Sequence, residues 1–244
     1  MGASCSTCAA AIQPVSAWGL CRSSRHGWRA KTGRLPAAFP SMTQDTRMST
    51  YSRTADHPID KQFLERWSPR AYNSEEIPEA TLLSLLEAAR WAPSSYNAQP
   101  WRFVYARRNT PHWDQFLGFL NEFNQSWAKN ASALVIAISK TTALPPGGTA
   151  EVPWPTHSFD AGAAWGYLAL QASASGWPAH GMAGILKDKI RAELGLPENY
   201  AIEAAIAIGK PGDKSVLPPQ LQERESPSPR KPLAEIASEG KFIP

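Results

Sequence analysis

Apolar positions along the chain change their period several times, and each change marks an element. Ile59, Phe63 and Leu64 form a short helical stripe behind Pro58, a residue type favoured at a first helical turn. Leu82, Leu83, Leu85, Leu86 and Ala89 form a longer stripe. That helix is predicted to begin at Pro78 and to end near Trp91, because Pro93 biases the residue before it away from helical angles. Residues 102–106 read as a strand, and the unbroken apolar run 133–138 as a buried strand. Between them Trp113, Phe116, Leu117, Leu120 and Phe123 recur at helical spacing. Asp160 precedes a predicted helix of small residues over 161–175, followed by a strand over 178–182, a helix over 187–194 and a strand over 202–208.

Two segments break these periods. Residues 141–157 carry Pro145-Pro-Gly-Gly148 and Pro153-Trp-Pro155, which predicts a loop long enough to cover a substrate. From Leu217 onward, prolines at 218, 219, 227, 229 and 232 deny the chain a core of its own, so this tail is predicted to wrap another surface. No internal repeat is visible. Few strands and many helices without regular alternation predict an α+β fold.

Charge alters the picture chiefly at the N-terminus. The chain of 244 residues has a net charge of +4, but Arg22, Arg25, Arg29, Lys31 and Arg34 lie in residues 1–43, where there is no acid. The remainder is near neutral, which argues against a nucleic-acid-binding body. All three cysteines, Cys5, Cys8 and Cys21, share that leader, so the body has neither disulfide nor thiol chemistry, and a cytoplasmic location is expected. No run reaches membrane-spanning length. Residues 1–47 fit several readings: a myristoylation signal at Gly2 with Cys5 nearby, a transit peptide, a finger-like Cys5, Cys8, Cys21 and His26 spacing, or an unstructured leader ahead of a working start at Met48. The last is favoured, with residues 48–244 as the functional domain.

Two segments carry candidate chemistry. Ala92-Pro-Ser-Ser-Tyr-Asn-Ala-Gln-Pro-Trp101 packs hydroxyls and side-chain amides into a proline-braced turn with no acid, histidine or cysteine. Such a surface binds a polar ligand by hydrogen bonds and offers no nucleophile–base pair. One helix upstream, Arg66-Trp-Ser-Pro-Arg70 sets two fixed cations about a hydroxyl, suited to a phosphate and a sugar chain. Taken singly, the first fits an ordinary turn and the second a solvated basic turn.

Jointly, the two segments resemble the flavin-binding signature of the nitroreductase family. The resemblance extends over roughly residues 57–242, through Phe123-Asn124, Met182-Ala-Gly-Ile185, Ile206-Ala-Ile-Gly209 and Arg230-Lys-Pro-Leu233. It implies a central, mostly antiparallel sheet flanked by helices in an intertwined homodimer. It also implies FMN as cofactor, NADH or NADPH as electron donor, and a small electron-poor acceptor (a nitroaromatic or quinone) reduced by a ping-pong mechanism. The implied cofactor-binding residues are Arg66, Trp67, Ser68 and Arg70 at the phosphate and ribityl chain, with Arg230 reaching the phosphate. Pro93, Ser94, Ser95, Asn97 and Gln99 of the other subunit would line the flavin, and Asn124, Ala183 and Gly184 would meet its ring. The flavin does the chemistry in this family, so no catalytic side chain and no metal are expected.

The chain departs from the family pattern at three places, the first being the region between Ser139 and Asp160, which is too short for a large substrate-covering helical insertion. Trp127 stands where the family sometimes has a basic residue near the flavin ring, and Ser228 where a second cation often precedes the late arginine. The phosphate charge would then rest on Arg66, Arg70 and Arg230. Gly209-Lys-Pro-Gly212 is no dinucleotide fingerprint, which is consistent with NAD(P)H sharing the substrate pocket. His57, His112, His157 and His180 are scattered singly and read as surface or satisfied core residues. Two other functions suit the same cradle: a flavin-sequestering protein without turnover, or a relative acting on flavin or halogenated substrates.

Overall fold

The computed structural model describes residues 53–242, so the readings of the leader, and of its Cys5, Cys8, Cys21 and His26, lie outside the described residues. The sheet is built on β2 (Ala133–Lys140), whose first seven residues are all buried. A strand buried on both faces needs apolar side chains at every position rather than at alternate ones, and 133–138 supply them. β2 is flanked by β1 (Trp101–Arg107) and by β6 (Tyr200–Ile208), and β5 (Ala179–Met182) closes the order β1-β2-β6-β5. Every pairing in this sheet is antiparallel. A register shift at Ala137/Ile138 leaves Glu203 of β6 without a partner on β2, a bulge that lets its carboxylate bond Ser139 and Ser158.

Period-two alternation along β2 divides the core into two layers. Ala133, Val135 and Ala137 face α2 (Glu79–Arg90) and α5 (His157–Ala174), packing with Leu82, Leu85, Ala164 and Leu168. Leu134, Ile136 and Ile138 face the opposite layer of α3 (Trp113–Leu117), α4 (Glu122–Ala128) and α6 (Lys187–Leu194). Small residues on α5 (Ala161, Ala164 and Ala172 are all buried) let that helix lie close to the sheet.

The structure departs from the sequence-based expectations in four ways. The apolar stripe from Trp113 to Phe123 is two helices, not one. The chain breaks at residues 118–121, where Leu120 bridges to Ile185 and the Asn121 side chain caps α4 by accepting from the Asn124 amide. Helix α5 begins at His157, which places Asp160 in its first turn, and the 141–157 loop contains a short hairpin of β3 (Thr142–Ala143) and β4 (Val152–Pro153). The tail is not coreless throughout: α7 (Pro219–Gln222) buries Leu221, and Leu217 is buried beside it in the second layer. Conversely α1 (Lys61–Glu65), capped by Asp60, buries no residue, and Ile59 and Phe63 are about half exposed.

One junction fixes the end of the phosphate-type motif against the sheet. Past β6, the Gly212 amide donates to the Ala71 carbonyl at 2.8 Å, and the Asn73 amide donates to Lys210 at 3.1 Å. Tyr72 between them is fully buried and donates from its hydroxyl to the Ala207 carbonyl at 3.2 Å. The backbones approach so closely that a Cβ on Gly212 would stand 2.7 Å from the carbonyl carbon of Tyr72. Gly212→Ala should therefore destabilise the fold by about 1–3 kcal/mol, because the clash is with backbone that cannot rotate away. A urea midpoint equal to that of the wild type would refute this account of the junction.

Candidate functional site

The Arg66 amide closes α1 by donating to the Gln62 carbonyl at 3.0 Å, and the chain then leaves the helix extended, so the residues after it take hydrogen bonds from distant parts of the chain. The Glu225 carboxylate accepts through one oxygen from the Arg70 and Ala71 amides, at 2.7 and 2.8 Å. Nδ1 of His180, on β5, lies 2.9 Å from the Ser68 carbonyl and 3.1 Å from that of Pro69, so it must be the protonated nitrogen that donates to them. Arg53 donates from one guanidinium nitrogen to the carbonyls of Leu64 and Arg66, at 2.9 and 3.0 Å. Arg66 reaches the Ser68 hydroxyl at 3.3 Å.

This framework surrounds a cavity of about 500 Å³ onto which Arg53, Arg66, Arg70, Arg224 and Arg230 converge, with Trp67, Ser68 and His180 in its wall. The cations disfavour one another. Burial, then the charges of Arg230 and Arg66, hold the Arg53 guanidinium below its usual pKa. Burial and then Arg230 do the same to Arg66. Arg70 is lowered by burial despite the opposing charge of Glu225, and its Nε is buried without a hydrogen-bond partner. All remain charged, since arginine is not deprotonated in proteins. The cavity is therefore a concentrated positive site short of a counter-charge.

A second cavity, of about 610 Å³, shares Arg66 and Ser68 with the first and continues along an apolar wall of Phe63, Trp165, Ala169, Met182 and Ala183. Together they offer a charged end and an apolar end joined at one arginine and one serine. Gly184 and Asn124 sit beside this wall rather than in it. Asn124 is buried and donates from Nδ2 to the Gly184 carbonyl at 3.0 Å, while the Asn121 amide donates to the same oxygen at 3.1 Å. A Cβ on Gly184 would lie 2.6 Å from both asparagine amide nitrogens, so the turn accepts only glycine here without rearrangement.

Residues 94–99 lie elsewhere in the chain. Tyr96, Asn97 and Gln99 all have positive φ, at 48°, 55° and 48°, an arrangement that costs non-glycine residues energy and is held by surrounding bonds. The Gln99 amide donates to the Ser94 hydroxyl at 3.0 Å, and the Ser95 amide donates to the buried Asp160 at 3.3 Å. Tyr96 and Asn97 line a different cleft with Trp154, Arg102 and Lys140, and that cleft shares no residue with the arginine cavity. Pro93, Asn97 and Gln99 are exposed.

The structure thus brings together Arg66, Trp67, Ser68, Arg70 and Arg230, adjoins Ala183 to them, sets Asn124 and Gly184 behind that wall, and leaves the 93–99 group apart. Beside the three arginines expected at a phosphate, Arg53 and Arg224 line the same cavity. His180, read from sequence as an isolated residue, is part of the wall. Trp127 is fully buried against His180, with ring centroids 4.8 Å apart, and so does not face a ligand. No group of three potential metal ligands occurs among the described residues. No helix among them is long and apolar enough to cross a membrane.

The model of the Nitroreductase family matches residues 64–210, which begin at the arginine motif and end in the segment that holds it against the sheet. The chain belongs to the Nitroreductase family. A Thermus thermophilus protein named NADH dehydrogenase is 29% identical over 200 residues, covering 71% of this chain and 91% of that protein. A solved oxidoreductase containing FMN is 51% identical with a TM-score of 0.75, covering 78% of this chain and 96% of that one. A nitroreductase solved in complex with FMN from Desulfovibrio desulfuricans is 25% identical, with a TM-score of 0.59 over 78% of this chain and all (100%) of that one. The nitroreductase fold expected from the motifs is therefore the fold observed.

Burial, with the Arg70 charge adding to it, pushes the His180 imidazole down to about 4. The unfolded chain then binds more protons than the folded one between an ordinary histidine value of about 6.5 and 4, so stability falls as pH drops through that window. The full loss from this group is on the order of 3 kcal/mol, reached below pH 4. His180→Phe should remove this component, so urea midpoints of wild type and variant measured at pH 7 and pH 4 should show a steeper acid loss in the wild type. Parallel pH profiles would contradict it.

Proposed function

We propose that this nitroreductase-family protein is an FMN-dependent oxidoreductase that passes hydride from NADH or NADPH to a small electron-poor acceptor, such as a nitroaromatic or a quinone, in ping-pong fashion. The observation that carries the reading is the junction of two cavities at Arg66 and Ser68, one lined by five arginines and the other apolar. A phosphate monoester joined through a polar chain to a flat aromatic ring has matching ends. The residues fit such a group on their own terms: Arg53 and Arg66 are lowered by burial and then by neighbouring arginine charge, and Arg70 holds a buried unpartnered donor. FMN in the solved relatives supports the same assignment. NAD(P)H as donor is supported by curated relatives, among them an oxygen-insensitive NADPH nitroreductase of Helicobacter pylori, 36% identical over 86 residues, which cover 34% of this chain and 40% of that protein.

When bound, the flavin supplies hydride acceptance and donation. What the chain supplies is grip, orientation and exclusion of water. Arg66, Arg70 and Arg230 hold the phosphate, aided by Arg53 and Arg224, and Ser68 meets the polar chain. Met182, at the end of β5, and Ala183 would pack against the ring, beside a turn that Asn124 ties down by its bond to Gly184.

The 93–99 group completes the site from a second copy of the chain. Its strained turn and exposed amides are separate from the arginine cavity of the same chain, and Phe159, at the start of α5 beside Asp160, is 81% exposed. A homodimer joins the two half-sites and covers Ile59, Phe63 and Phe159. Residues 48–244 form the working domain of a cytoplasmic enzyme, with 1–47 a dispensable leader.

Protein purified with FMN should be yellow and should oxidise NAD(P)H when given a nitroaromatic or quinone. Flavin binding without any anaerobic hydride acceptance would instead favour a flavin-sequestering role. Arg66→Ala should weaken FMN by about 1.5–3 kcal/mol, the scale of a charge-assisted hydrogen bond, and Arg70→Ala by less. Unchanged affinity in both variants would reduce the arginine motif to solvated surface.

Assembly gives an independent test. Because Leu217 and Leu221 are in the core, the informative cut falls after Gln222. Removing residues 223–244 should cost both the dimer and FMN, and removing 1–47 should cost neither, as read by light scattering with a flavin absorbance trace. A truncated protein that stays dimeric and fully loaded would defeat the picture of a tail that completes the assembly.

A further inference from the structure

We propose that Glu225, in the C-terminal tail, and His180, on β5, are positioning residues that set the phosphate grip by clamping the backbone of residues 68–71 from two sides. The proposal rests on the FMN reading above. Four consecutive residues are tied at four backbone groups, two carbonyls by His180 and two amides by Glu225. The two clamps are 112 and 155 residues from the turn in sequence, and each is held by its own anchor. His180 packs at a tilt against the buried Trp127 and belongs to a sheet strand. Glu225 follows the buried Leu221 of α7 within one turn of chain.

How Glu225 spends its hydrogen bonds is the informative detail. A carboxylate among arginines would ordinarily form ion pairs with them. Here one oxygen is committed to two backbone amides, and the other is buried with no hydrogen-bond partner. Glu225 thus takes no guanidinium donor: Arg66 gives one nitrogen to the Ser68 hydroxyl and Arg230 one to Ser228 and Pro229, the other donors stay open to a ligand, and the negative charge still offsets part of the repulsion at Arg70. His180 likewise takes two carbonyls and brings no charge near neutral pH. A turn anchored at both its donors and its acceptors can present Arg66, Ser68 and Arg70 in one geometry before a phosphate arrives, and such preorganisation lowers the cost of binding.

The test compares FMN with riboflavin, which lacks the phosphate, by fluorescence quenching on the full chain. The wild type should prefer FMN, and Glu225→Ala should shrink that preference at least tenfold while riboflavin affinity stays within threefold. Glu225→Gln, which keeps an oxygen able to accept both amides, should retain most of the preference. His180→Phe, which keeps the aromatic packing on Trp127 but has no donor, should lose preference as Glu225→Ala does and serves if the latter does not fold. A wild type that binds neither flavin would sink the FMN reading itself. If the wild type prefers FMN but the clamp is wrong, Glu225→Ala and His180→Phe will lower both flavins equally or leave the ratio unchanged. Equal losses in Glu225→Gln and Glu225→Ala would also overturn the clamp, since an acceptor for the two amides would then not be what preserves the grip; loss of the negative charge by itself would tighten a phosphate rather than release it.

Discussion

Arginine charge collected in one cavity has to be held there against its own repulsion, and that constraint organises the site half of this molecule. Arg53, Arg66, Arg70, Arg224 and Arg230 come from the segment before α1, the turn after it and the tail. None of these stretches has a long helix or a strand of its own to stiffen it. The geometry is supplied from outside: by Tyr72 and Gly212 at the sheet edge, by His180 on β5, and by Glu225 in the tail. The core layers built on β2 are the rigid reference for all three. Without that reference the guanidiniums would be free to disperse into solvent, where each is better hydrated.

The same logic separates the strained turn from the arginine cavity. The positive-φ turn at Tyr96, Asn97 and Gln99 is braced by Asp160 through Ser95, and Asp160 is itself held by the Thr156 hydroxyl at 3.1 Å. An acid is tolerable there because that cleft is distant in composition from the arginine cavity. Placed among the arginines with free oxygens, it would compete for the donors a phosphate needs. On the proposed dimeric reading, each chain carries a phosphate end and a hydrogen-bonding turn, and neither is a complete site until two chains meet.

Much of the fold was legible in the sequence, and the unread parts share a cause. β2 announced itself as an apolar run, and β6, α2 and α6 fell close to their predicted limits because local pattern and tertiary burial agree there. The stripe from Trp113 to Phe123 failed as one helix because Phe119 and Leu120 are buried by a break at residues 118–121 rather than by helical periodicity. Arg66, Ser68, Arg70 and Arg230 were legible as a motif. Arg53, His180, Arg224 and Glu225 were not, since their roles arise from hydrogen bonds and convergence across more than a hundred residues, or across the gap between tail and turn, and no local spacing encodes these. The cation pair around Glu225 offered the nearest signal: Arg224 and Arg230 bracket the one tail acid that the structure buries against the turn.

Trp127 shows how far this constraint reaches. Family members sometimes carry a cation at this position, and a tryptophan there first looks like a lost contact. In the structure it is fully buried, flanked by His180 and by Tyr72, whose ring centroid lies 6.3 Å away, and the Arg70 guanidinium sits 5.9 Å above its ring. A second buried cation so close to Arg70 and beneath a neutral histidine would add repulsion to desolvation, with no acid in hydrogen-bond contact to offset either. An indole instead presents the electron-rich face that a guanidinium favours, and fills the volume that keeps the His180 ring in line with the Ser68 and Pro69 carbonyls. Positive charge therefore stays in the cavity wall, where Arg53 and Arg224 join Arg66, Arg70 and Arg230, and an aromatic ring rather than a cation lies beneath the turn.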